Sequence, residues 1–122
     1  MTRTDADRQE LWPELKWEDW SETANTLHLW AQIVGKTRLA LTSLENHWWN
    51  VTLYLTPRGL TTGEIPCHSK DPGKHFDVEF DFLEHELRIR ESNGRGVTLP
   101  LRAQSVAAFY AEYMSALRSL GI

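Results

Sequence analysis

The sequence predicts an α+β fold: a helix, a five-stranded antiparallel meander and a second helix, with both helices on one face of the sheet as a two-layer sandwich. Three observations lead there. An apolar period of 3.6 covers residues 17–41, and apolar and charged residues alternate along 75–91. A second helical period follows Ser105. Helices at the two ends of a run of strands pack as a layer against one sheet face.

The first helix is expected from about Trp17 to about Leu41. Leu27, Trp30, Val34 and Leu41, with Thr23 and Ala31, are assigned to its inner face. Gly35 weakens its middle by roughly 1 kcal/mol relative to alanine, so the helix could bend or end there. Trp48 to Thr56 reads as a strand, with Trp49, Val51, Leu53 and Leu55 on the core side. Thr56-Pro57-Arg58-Gly59 is a turn, because proline presets φ and glycine accepts a positive one. Leu60 to Ile65 returns as a second strand, and Pro66 to Lys74 is a loop.

His75 to Phe82 is the clearest strand. Phe76, Val78, Phe80 and Phe82 share one face, and Asp77, Glu79 and Asp81 the other. Pairing Phe82 with Leu87 sets Asp81 opposite Arg88 and Glu79 opposite Arg90, which matches both faces and predicts a solvated, ion-paired outer surface. At Ser92-Asn93-Gly94, a three-residue loop with Gly94 left-handed places Ile89 opposite Val97 and Leu87 opposite Leu99. Ser105 is an N-cap for the last helix. Val106, Phe109, Tyr110, Tyr113, Met114, Leu117 and Leu120 line its inner face, and Gly121 ends it.

The chain has 122 residues, the size of one domain, with residues 1–10 expected as a frayed polar tail and 11–122 as the α+β domain. Hydrophobic residues make up 41% and charged residues 25%, an ordinary balance for a globular chain. Six tryptophans are unusual at this length and let a small core bury much surface. The net charge of −4 argues against nucleic acid as a partner, which needs clustered Lys and Arg. Residues 1–10 lack the apolar centre of a signal peptide, and no apolar run reaches membrane-spanning length. Cys67 is the only cysteine, which fits a reducing compartment. The expectation is a cytoplasmic protein with no membrane partner.

Several motifs in order carry a resemblance. W-x-x-T-x-x-T-L-H-L-W-x-Q-I-V-G-K-x-R-L-A-L runs from Trp20 to Leu41, N-H-W-W-x-V-x-L-Y from Asn46 to Tyr54, and R-G-L-T-T from Arg58 to Thr62. F-D-F, L-x-I-R and S-V-A-x-F-Y-x-E-x-M follow. Over about residues 11 to 122 the chain resembles the bacterial family known as domain of unknown function 5996. Many of that family's members are longer, so the resemblance implies its N-terminal portion. It implies no activity and no catalytic residue.

The residues themselves suggest where to look. His28, Gln32 and Lys36 are spaced i, i+4, i+8 and stack along one helical stripe. They could converge on an anionic or hydrogen-bonding ligand, with Lys36 as charge, Gln32 as donor and acceptor, and His28 as a titratable group. The same stripe also reads as a helix face turned to water, although Leu29 and Leu39 flank it. Asn46, His47 and Trp48 stand close by in sequence, and Trp48 could line a pocket or meet a partner subunit. Trp49 is assigned to the core. Arg58 could add a second cation.

Cys67, His68, Asp71 and His75 do not follow a zinc spacing, so no metal is expected. No cofactor is expected either, since no phosphate loop, dinucleotide fingerprint or nucleophile elbow is present. Two classes of function remain. One is a binding or interaction module holding a small polar ligand or a protein partner, which could be a second copy in a homodimer. The other is a small metal-independent enzyme, with His28 or His47 as acid and base and Lys36 or Arg58 stabilising an anion.

Overall fold

In a computed structural model, the described residues are 13–67 and 73–122. The tail expected at residues 1–10 and the loop positions His68 and Asp71 lie outside them. Helix α1 spans Trp17–Leu41 without a break at Gly35. Glu18 and Asp19 in its first turn and Arg38 in its last complement the helix dipole. A 3-10 segment, Asn46–Val51, follows. The strands are β1 (Tyr54–Leu55), β2 (Gly59–Thr61), β3 (Ile65–Pro66), β4 (His75–Asp81), β5 (Glu86–Glu91) and β6 (Gly96–Pro100). Helix α2 spans Val106–Ser119.

All strand pairs are antiparallel, in the order β1-β2-β4-β5-β6, and β3 also lies along β4. β2 and β3 are one edge with a kink. Thr61 faces Glu79 but Ile65 faces Phe76, so four steps along this edge meet three along β4. The surplus residue is accommodated beside Gly63, whose φ is 67°. The continuous strand expected over 60–65 is therefore divided.

The apolar face of the sheet holds Phe76, Val78, Phe80, Leu87 and Ile89 in one buried core with Trp30 and Val34 of α1 and Phe109, Tyr113, Ala116 and Leu117 of α2. Trp30 stacks on Phe109 with ring centroids 4.7 Å apart. Thr37 and Tyr113 join the helices through a buried hydroxyl–hydroxyl bond of 2.6 Å, and burial pushes the Tyr113 phenol up to about 12. Thr37 thus occupies the inner face where Thr23 and Ala31 were expected; Thr23 is exposed and Ala31 only half-buried. Tyr110 was expected inside but is 52% exposed, because α2 turns Phe109, Tyr113 and Leu117 to the sheet. Ser105 caps α2, its Oγ accepting from Ala108 N at 3.1 Å. Gly121, with φ at 77°, follows the helix end.

The β5–β6 register is the expected one, with Ile89 opposite Val97 and Leu87 opposite Leu99. The β4–β5 register differs by two residues. Phe80, not Phe82, faces Leu87, and the charged pairs are Asp77 with Arg90 and Glu79 with Arg88. The turn explains the shift. Asp81 Oδ1 accepts from the backbone N–H of Leu83 and of Glu84, both at 3.0 Å, and His85 closes the turn with φ at 54°. Phe82 belongs to this turn and is exposed rather than buried.

The outer face is not uniformly solvated. Arg90 grips Asp77 with two bonds of 3.1 and 2.8 Å near the surface. Glu79 is buried, and so is Asp81, whose Oδ2 accepts from Arg58 Nε at 2.6 Å with Arg88 Nη2 at 3.3 Å. The bond from Arg58 and the two turn N–H groups hold the Asp81 carboxyl down at about 2 against the opposing effect of desolvation. On the opposite, helix-side face, at the end of β5, buried Glu91 stands across from Phe76 and pairs with Lys74 Nζ at 2.8 Å, and Lys74 also donates to the Leu120 carbonyl after α2 at 2.9 Å.

Candidate functional site

The segment expected as the strand Trp48–Thr56 is mostly not a strand; only Tyr54–Leu55 pairs. Two polar anchors draw the chain back onto α1 instead. Asn50 is 2% exposed, and its Nδ2 donates to Thr42 Oγ1 at 3.1 Å. Arg38 donates through Nε to the Asn50 carbonyl and through Nη1 to the carbonyls of Thr62 (3.2 Å) and Glu64 (2.6 Å). Buried polar groups must find partners, and this arrangement satisfies Asn50 beside the helix end rather than in a sheet ladder.

The anchored segment must turn sharply. His47 and Trp48 both take left-handed backbone conformations, with φ of 56° and 59°. Such a conformation costs a residue with a side chain on the order of 1 kcal/mol or more. It carries the Trp48 side chain over α1. Trp49, expected in the core, is instead 63% exposed, its ring 5.8 Å from that of His47. Asn50 takes the inward position.

Between α1 and this segment lies an open cleft of about 500 Å³, lined by His28, Ala31, Gln32, Gly35, Lys36, Leu39, Trp48 and Val51. His28, Gln32 and Lys36 thus share a helix face with Trp48 beside them. Leu39 lines the cleft as well; Leu29 is exposed but is not among its lining residues. Gln32 Nε2 lies 3.1 Å from His28 Nε2, a distance at which the amide N–H can donate to that ring nitrogen when it carries no proton. Lys36 makes no ion pair among the described residues.

The other sequence-predicted residues do not join this cleft. Asn46 and His47 are exposed and do not line it. Arg58 sits in the β1–β2 turn, committed to Asp81 on the sheet face away from the helices. The sequence reading missed Ala31 and Gly35 as cleft residues, although their spacing from His28 and Gln32 carried that signal. It also missed Arg38 and Asn50, whose roles depend on contacts distant in sequence. Among the described residues no group of three His, Cys, Asp or Glu side chains is placed to hold a metal. No described helix is long and apolar enough to cross a membrane.

No curated protein and no solved structure matches the chain. A family match covers nearly all of it, including both walls of the cleft and every element of the sheet: the chain belongs to the family of unknown function DUF5996, which it matches over residues 12–122.

Proposed function

We propose that the protein is a non-catalytic binding module that holds a small molecule in the cleft between α1 and the Asn46–Val51 segment. One observation carries this reading: two adjacent residues accept left-handed backbone strain, and the product is a tryptophan facing the His28, Gln32 and Lys36 stripe across a cleft. Backbone strain of this kind concentrates at ligand clamps. The volume is in the range of small-molecule sites, with apolar walls and a few polar groups.

The enzyme reading has less support. Arg58 is remote and already neutralised by Asp81. His47 is outside the cleft, and His28 Nε2 lies within hydrogen-bond reach of Gln32. Among the described residues the lining has no Ser, Cys, Asp or Glu that could act as nucleophile or carboxylate base.

A ligand-observed NMR screen of small polar fragments tests the proposal, with Trp48→Gly as the control. Glycine relieves the left-handed backbone and removes the indole. The variant should melt at or above the temperature of the parent protein and lose the saturable hits. Hits that persist undiminished in Trp48→Gly would sink the proposal, as would a screen in which nothing saturates.

A further inference from the structure

We infer that the cleft is shaped for a planar aromatic molecule bearing one anionic group, such as an aryl carboxylate, with its ring against Trp48 and its charge on Lys36. This rests on the reading of the cleft as a ligand site and names the ligand class.

The floor gives the first argument. Gly35 lies mid-helix, where glycine weakens the helix relative to alanine. The fold does not demand a glycine there. Its φ is not positive, and an added Cβ would meet only the Val51 carbonyl oxygen, at an ordinary 3.8 Å. What glycine provides is a bare strip of helix beside Ala31, on the cleft floor. A flat ring can lie against such a strip, where a side chain would prop it away.

The walls give the second. Trp48, Leu39 and Val51 are apolar, and Trp48 keeps much of its ring open, at 57% exposure. An indole face stacks favourably on another aromatic ring, beyond the gain from buried area alone. An aliphatic chain of the same length would forgo that contribution.

Charge gives the third. The chain has 17 acidic residues against 13 Lys and Arg, yet among the described residues no carboxylate lines the cleft. Among the described residues its one permanent cation is Lys36. The apolar groove between α1 and α2 touches the same lysine on its other side, so its stem borders two apolar surfaces, and its ammonium makes no ion pair among the described residues. Gln32 and His28 extend the hydrogen-bonding rim along the helix and would receive the second oxygen of a carboxylate through a Gln32 N–H or a His28 ring N–H.

The test is a ¹H–¹⁵N NMR titration with four probes: 2-naphthoate, 2-naphthalenemethanol, hexanoate and 2-naphthylmethylammonium. The readouts are the Gly35 amide and the Trp48 indole N–H. Naphthoate should move both saturably. The neutral alcohol should bind about ten-fold more weakly, a difference of about 1.4 kcal/mol. Hexanoate and the ammonium probe should be weaker still. Lys36→Gln should bring naphthoate to the affinity of the alcohol and leave the alcohol unchanged. Gly35→Ala should keep or raise the melting temperature while weakening naphthoate several-fold, which separates cleft filling from misfolding. If the alcohol, hexanoate or the ammonium binds at these two resonances as tightly as naphthoate, the ligand class is wrong and the cleft remains a binding site. If none of the four moves them, the ligand class is wrong, and the fragment screen with Trp48→Gly decides separately whether the cleft binds anything.

Discussion

The β4–β6 meander and the Asn46–Leu55 stretch use similar residues for opposite ends. Both alternate bulky apolar and polar side chains. In the meander Phe76, Val78, Phe80, Leu87 and Ile89 are buried, whereas Trp48, Trp49, Tyr54 and Leu55 are all more than half exposed. The difference lies in hydrogen-bonding company. β4 has β5 along one edge and β2 with β3 along the other, so its pleat is fixed and its faces are sorted. Residues 46–51 have no strand beside them and are held by Asn50 and Arg38 from the helix side. Tyr54 and Leu55 pair with β2 only at the margin of the sheet and are still exposed, so alternation predicts burial where strands on both edges fix the pleat and the helices cover one face.

The largest expected effect comes from the meander side of that comparison. Phe80 is fully buried beneath both helices. Phe80→Ala should lower unfolding free energy by about 3–5 kcal/mol through lost transfer energy and the cavity left behind. Urea denaturation measures it, and a loss below about 1 kcal/mol would contradict the core described here.

Acid stability sharpens the contrast between the two faces of the sheet. Asp81 is lowered from 3.8 to about 2 in the folded chain. The unfolded chain therefore binds the proton more readily, and the stabilisation from ionised Asp81 is fully present well above pH 4. It should decline as pH falls from about 4 through about 2 and vanish below that window. Asp81→Asn should remove this part of the acid dependence. Parallel stability–pH curves for the parent and the variant between pH 2 and 5 would show that Asp81 does not contribute it.

The smallest effect is expected on the exposed side. Trp49→Ala should change stability by no more than about 0.5 kcal/mol, because the ring is turned outward. A loss close to that of Phe80→Ala would place Trp49 in a core and erase the comparison. The difference between the two denaturation midpoints is the direct measure.

Much of the fold was legible, for reasons that also explain the misses. The limits of α1, the cap at Ser105 and the Gly94 turn follow from local chemistry, and local chemistry is written in the sequence. The two-residue slip between β4 and β5 is of another kind. A shift by an even number leaves every side chain on its face, so the apolar pattern cannot detect it. Only the turn decides, through the bonds Asp81 makes to Leu83 and Glu84. Asp81 consequently became a buried turn anchor rather than a surface charge. In the cleft, helical spacing put His28, Gln32 and Lys36 together. The placement of Trp48 depends on the left-handed pair and on Asn50 reaching Thr42, which no period encodes.

Arg38 has a further consequence. Its guanidinium donates at once to carbonyls on the segment that carries Trp48 and on both sides of the Gly63 kink. Neither segment can detach without leaving part of that cation unmatched. The wall of the cleft and the kinked margin of the sheet are therefore latched to a single residue near the end of α1, so that loss of Arg38 would release both at once. A molecule that held the wall from the cleft side would bear, through the same guanidinium, on the Thr62–Glu64 margin beyond the latch.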